Sequence, residues 1–155
     1  MTHSDVRQLV VSEAQSWLGT PYHHLGDLKG PGGGVDCAML LVRIYQGLGL
    51  IEAFDPRPYS HQWHLHRGQE LYLGWLERCA VEVDAAQALP GDVCVFRFGR
   101  TYSHGAVLID GNARTGTVVH ALARAGVVLA QPISDPPLAD RHVRWFSIIQ
   151  TKGQA

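Results

Sequence analysis

The hydrophobic period of this chain changes once, at Leu89-Pro90-Gly91-Asp92, and that change limits the folds open to it. Before the turn, apolar residues recur at helical spacing; after it, they fall in short runs typical of strands. Val6, Leu9, Val10, Ala14, Trp17 and Leu18 form one helical stripe. The spacing predicts a helix from a Ser4 cap to about Trp17, ended by Gly19. Residues 19–35 read as a Gly- and Pro-rich loop. A second helix is predicted from Asp36-Cys37 to about Leu48, with Ala38, Leu41, Val42 and Tyr45 on one face and Gly47 and Gly49 marking its end. Asp55-Pro56-Arg57-Pro58 breaks the pattern, and residues 61–78 read as a helical stretch of mixed polarity. Beyond the turn, residues 93–98, 104–109, 117–121, 127–131 and 143–150 read as strands. Helices first and short strands later predict an α+β domain with an antiparallel sheet.

A length of 155 residues, with 46% hydrophobic and 17% charged residues, suits one domain over residues 1–155 with its own core. A formal net charge of -1 gives no bulk attraction to nucleic acid or a membrane surface. No apolar run is long enough to span a bilayer. Met1-Thr2-His3-Ser4-Asp5 lacks the basic and apolar regions of a secretory signal. The expectation is cytoplasmic synthesis, with any export by a route the sequence does not encode. An odd number of cysteines, 3, argues against a disulfide framework.

The residues able to do chemistry begin with Cys37, between the run Gly30-Pro31-Gly32-Gly33-Gly34 and the apolar stretch Ala38-Met39-Leu40-Leu41-Val42. A helix N-terminus favours negative charge, so a thiol there is expected to have a lowered pKa and to serve as a nucleophile. A half-buried cysteine opening a core helix is the plainer alternative. A thiolate needs a base, and the base an orienting partner. His104 opens a strand in Tyr102-Ser103-His104-Gly105-Ala106-Val107, and His120 lies in Val118-Val119-His120-Ala121. If those strands are neighbours, the two imidazoles can lie side by side, one addressing Cys37. A buried His120 satisfied by backbone stays open as the alternative.

These residues, in this order, resemble the NlpC-type cell-wall cysteine peptidases, papain-like enzymes that cut peptidoglycan stem peptides. Trp17-Leu18-Gly19-Thr20-Pro21-Tyr22 is similar to the family's entry motif and Gly34-Val35-Asp36-Cys37 to its nucleophile motif. Leu89-Pro90-Gly91-Asp92-Val93 resembles the turn into the first strand, Ser103-His104-Gly105-Ala106-Val107-Leu108-Ile109 the base strand, and Val119-His120-Ala121 the third catalytic strand. The resemblance implies a papain-like fold with N-terminal helices packed on a central antiparallel sheet. It implies Cys37 as nucleophile, His104 as general base and then acid, and His120 as the orienting residue. It puts Tyr22 near the developing oxyanion or the substrate pocket, with the Cys37 N–H donating to the oxyanion. Asp36 would bind a substrate amine, cap the helix, or do both. The implied reaction is cleavage of the γ-D-glutamyl–diaminopimelate bond through a thioester, without a cofactor.

One departure stands out: the family usually reads Asp-Cys-Ser-Gly, and here the sequence is Asp36-Cys37-Ala38-Met39. The missing hydroxyl puts a strict preference for a free N-terminal amine in doubt. It keeps open an amidase or acyltransferase acting on another substrate with the same triad. A compact chain with a histidine-rich insert also resembles the peptidases of phage tails and gene transfer agents, which implies tail proteins as partners and allows a vestigial site. In that insert, Trp63 is expected to line the substrate groove. His61, His64 and His66 do not share one helix face, so a zinc site is not expected there, and their role stays open. His23 and His24 read as a solvated loop pair. Arg97 and Arg100 flank the loop leading to His104, where either could pair with a stem-peptide carboxylate or simply be solvated. Cys79 and Cys94 read as reduced packing residues.

Overall fold

The computed structural model describes residues 1–60 and 71–149. In chain order these form α1 (His3–Ser16), β1 (Asp27–Leu28), β2 (Gly34–Val35), α2 (Cys37–Gly47), α3 (Leu71–Cys79), β3 (Val81–Val83), β4 (Val93–Phe98), β5 (Thr101–Asp110), β6 (Thr117–Leu122), β7 (Val127–Pro132) and β8 (Val143–Ser147). The expected α+β architecture is present: a six-stranded sheet in the order β3-β8-β4-β5-β6-β7, every neighbouring pair antiparallel.

The first helix begins earlier than Ser4. Thr2 is its cap: the Thr2 hydroxyl accepts the Asp5 N–H at 3.1 Å and Asp5 accepts the Thr2 N–H at 2.9 Å. This reciprocal box satisfies two donors that Ser4 would leave open. Its buried face is Val10, Val11, Ala14 and the Trp17 that follows, whereas Leu9 and Leu18 are each 44% exposed. The loop before α2 holds the small β1–β2 hairpin, too short to leave a periodic signal. Pro21 bridges to Val127 and Tyr22 to Val35, tying the loop to the sheet edge.

The second helix is buried on nearly every side, not on one face. Cys37 through Val42, Ile44 and Tyr45 are all buried. It packs on β5 and β6 and against α1 and β1, which explains its almost unbroken apolar sequence. Each large side chain it buries stabilises the fold by about 1.5–3 kcal/mol relative to exposure. The sheet carries a core on each face. Val93, Val95, Val107 and Val119 face the helices; Cys94, Phe96, Ala106, Leu108 and Val118 pack on the far side with Ile133, Leu138 and Trp145. The cysteines at 79 and 94 form no disulfide, and Cys94 is wholly buried.

The strand predicted at residues 104–109 starts at Thr101, so His104 lies within β5 and does not open it. A register shift between Phe96 and Arg97 lets Ser103 bulge beside it. The strand predicted at 143–150 ends at Ser147, and of the helix predicted over 61–78 the described part is α3.

Candidate active site

The site forms where two strands part. β5 and β6 pair from Asp110 opposite Thr117 to Val107 opposite Val119, and no farther toward His104. The Sγ of Cys37, on the first turn of α2, fills the gap. It donates to the Ser103 carbonyl at 3.8 Å and receives the Gly105 N–H, so sulfur meets the polar groups that a continued β6 would have met. Gly105 is required there. A Cβ at this position would collide with the Tyr72 hydroxyl and Leu41. Tyr72 is held in place because its hydroxyl donates to the Cys37 carbonyl at 2.9 Å.

Strand alternation sends His104 and His120 to the side of the sheet away from the helices. His104 Nε2 and His120 Nδ1 are 2.7 Å apart, and His120 Nε2 is 2.8 Å from Gln131 Oε1 on β7. The tautomers follow from the far end of this chain. The Gln131 amide nitrogen faces the carbonyls of Pro132, Asp135 and Pro136 at 3.3–3.4 Å, so its oxygen must point at His120. An oxygen accepts, so His120 carries its proton on Nε2 and offers a lone pair at Nδ1. His104 then donates from Nε2, and its Nδ1 is left with a lone pair. Cys37 and His104 line the same cleft, together with Tyr22, Phe98, Ser103, Arg124 and Arg141. By elimination, Nδ1 is the His104 atom able to take the thiol proton. The ring is braced by Phe98, with centroids 5.1 Å apart, and by Phe96 at 6.4 Å.

The electrostatics differ from the sequence expectation. Burial pushes the Cys37 thiol up to about 12, with the Asp36 carboxylate as a further cause. The N–H groups of Gly105, Cys37 and Ala38 act in the opposite direction and do not prevail. A helix N-terminus therefore does not give a lowered thiol pKa here, because the sulfur is almost wholly withdrawn from water. His104 is held well below the ordinary imidazole value, by burial first, then by His120 and Arg141. His120 is lowered by burial, partly opposed by Gln131. Burial thus disfavours the charged form of both the thiol and the imidazole.

The Asp36 carboxylate is committed. It caps α2 by accepting the Met39 N–H at 2.9 Å, takes the Leu25 N–H at 2.8 Å, and accepts the Tyr59 hydroxyl at 2.6–2.7 Å. It is 2% exposed, so the capping role holds and the carboxylate is not open to a substrate amine. His24 packs edge-on against Tyr59 and lies 3.7 Å from Asp36, so it is not a solvated loop residue. Tyr22 lies on the cleft; burial and the neighbouring Cys37 keep its phenol protonated, hence a donor. Ala38 faces the apolar interior between α2 and α3. Arg97 and Arg100 are exposed and do not line the cleft; the arginines that do are Arg124 and Arg141. Trp63, His61, His64 and His66 lie outside the described residues. Gln131 and Arg141 were not visible as site residues in the sequence, because only the β6–β7 register and the loop before β8 bring them there.

No family sequence profile matches the chain, and no curated protein does. Solved structures do. NlpC1 from Trichomonas vaginalis superposes with a TM-score of 0.60 and 21% identity over 92% of this chain, which spans 43% of that one. The P60 domain of an antigen from M. avium subspecies paratuberculosis gives 0.62 and 20% identity over 95% of this chain and 97% of its own. The peptidoglycan hydrolase RipB from Mycobacterium tuberculosis gives 0.62 and 20% identity, over 94% of this chain and 66% of its own. The fold of this chain is therefore the papain-like α+β fold of NlpC/P60 domains.

Proposed function

We propose that this protein is a cysteine hydrolase of peptidoglycan stem peptides. The observation that carries the reading is the run of contacts from Gln131 through His120 to His104, ending in a cleft shared with Cys37. That arrangement gives His104 one lone pair and aims the rest of its ring at a rigid support. The substrate class comes from the fold's likeness to RipB and other peptidoglycan hydrolases.

In the mechanism, His104 Nδ1 takes the Cys37 proton as the sulfur attacks the scissile carbonyl carbon. The tetrahedral oxyanion receives the Cys37 N–H and the Tyr22 hydroxyl. The imidazolium returns its proton to the departing amine, leaving a thioester on Cys37. Water, deprotonated by the same nitrogen, releases the acid and restores the thiol. His120 stabilises the imidazolium through the 2.7 Å contact and does not itself take the proton. The bond we assign is γ-D-glutamyl–diaminopimelate.

Purified muropeptides of the diaminopimelate type, incubated with wild type and with Cys37→Ala, test this by mass spectrometry. Wild type should release the diaminopimelate-containing fragment and Cys37→Ala should not. Intact stem peptides with wild type, or equal cleavage by both proteins, would refute the reading.

A further inference from the structure

We propose that Arg141 forms an anion subsite on the wall of the Cys37 cleft, built to take a carboxylate carried by the acyl part of the substrate. Its guanidinium is fixed before any ligand arrives. Nε donates to the Pro137 carbonyl at 2.5 Å, Nη1 donates to the Arg97 carbonyl at 3.1 Å, and the group lies over the Phe98 ring at 3.6 Å. Phe98 in turn packs on His104. The cation is thus held a single aromatic ring away from the imidazole.

What it lacks is a counter-charge. Other buried or half-buried cations are paired: Arg7 with Asp92, Arg43 and Arg57 with Asp27, Arg144 with Glu82. Arg141 makes no such pair among the described residues, and no aspartate or glutamate lines the cleft. Arg124, on the turn between β6 and β7, adds a second cation to the same rim. A fixed cation beside a ring that must become imidazolium opposes the reaction. The opposition ends when an anion arrives with the substrate, so binding and activation of the base are coupled. Two carbonyls and an aromatic face leave the remaining N–H groups of the guanidinium for a planar, hydrogen-bonding anion.

This deepens the reading above and rests on the cleft being the acyl site. A γ-linked glutamyl group fits it, because the linkage uses the side-chain carboxyl and leaves the α-carboxylate free on the acyl side of the scissile bond.

The test uses the thiol itself. Iodoacetate and iodoacetamide alkylate sulfur by the same displacement of iodide and differ in carrying a carboxylate or an amide. The rate ratio at Cys37, read by peptide mass spectrometry, should exceed that of glutathione by about tenfold, the size of a charge-assisted contact. Arg141→Gln should bring it within about twofold of glutathione, and Arg141→Lys should keep part of the excess. In wild type, 0.5 M salt should reduce the excess, which keeps the test usable if Arg141→Gln does not fold. A wild-type ratio equal to glutathione's, a salt-insensitive ratio, an unchanged ratio in Arg141→Gln, or no alkylation by either reagent would each overturn the subsite. A raised ratio in a protein that leaves muropeptides intact would reject the peptidase reading and keep the subsite. Muropeptide cleavage with a ratio equal to glutathione's would do the reverse.

Discussion

Gln131→Leu replaces a carboxamide with an apolar group and should disable a base two residues away in space. In the native protein, Oε1 of Gln131 accepts from His120 Nε2 at 2.8 Å. His120 is fully buried, so leucine leaves that N–H without water or protein to receive it. An unsatisfied buried donor costs about 1–3 kcal/mol. His120 escapes the cost by moving its proton to Nδ1. It then presents a donor to His104 Nε2, across 2.7 Å, and His104 must accept there and carry its own proton on Nδ1. The lone pair at His104 Nδ1 is gone. At about 1.4 kcal/mol per factor of ten, the native tautomer should become roughly 5- to 150-fold rarer relative to the competing one. We therefore expect kcat for muropeptide cleavage to fall by about 10- to 100-fold with KM unchanged, since Gln131 does not line the cleft. Nitrogen-15 shifts of the imidazoles should report the exchange of tautomers directly. Gln131→Glu should act differently: its carboxylate favours a doubly protonated His120, so activity should recover as pH rises. A Gln131→Leu protein with wild-type kcat, or with His104 still protonated at Nε2, would refute the tautomer argument.

The remaining predictions concern stability. Asp36→Ala should lower the unfolding free energy by about 3–5 kcal/mol, measured by urea denaturation, because it deletes a helix cap and strands the Leu25 N–H and the Tyr59 hydroxyl. A loss below about 1 kcal/mol would show that the carboxylate is replaceable by water. Acid should destabilise the protein well above the carboxylate range. His104 and His120 have lowered values in the fold, so below about pH 6.5 the unfolded chain binds protons that the folded one does not. Stability is therefore complete above that pH and lost as pH falls, at up to roughly 1.4 kcal/mol per unit for each ring. The urea midpoint should fall between pH 7 and 5, and His120→Asn should flatten the slope. An unchanged wild-type midpoint over that interval would contradict the burial of these rings.

The architecture was legible where local chemistry and periodicity agreed. The Leu89-Pro90-Gly91-Asp92 turn is followed by a strand whose limits, residues 93–98, are those read from the sequence. The start of α2 was equally plain, because Asp36 is both a cap and the boundary of an apolar run. Thr2 was missed because Ser4 offers the same side-chain chemistry nearer the stripe; the Asp5 that completes its box decides between them. β1, β2 and β3 span two or three residues each and carry no period to detect. At the site, the nearness of Cys37, His104 and His120 follows from motif order and from strands that prove to be neighbours. Gln131 follows only from register: it sits opposite Val118, diagonal to His120, and a glutamine at a strand end has no signature of its own. The thiol's electrostatics were misread for a related reason. Helix position is local and visible, whereas desolvation depends on everything that packs around the sulfur.

The gap between β5 and β6 has a bearing on when this protein is chemically competent. Thiol and imidazole are contributed by segments far apart in the chain, and they meet only after the helix carrying one has seated against the sheet carrying the other. A nascent or partly melted molecule holds all the reactive groups and assembles none of them. The pairing of thiol and imidazole is thereby a property of helix and sheet together, and neither segment carries it alone.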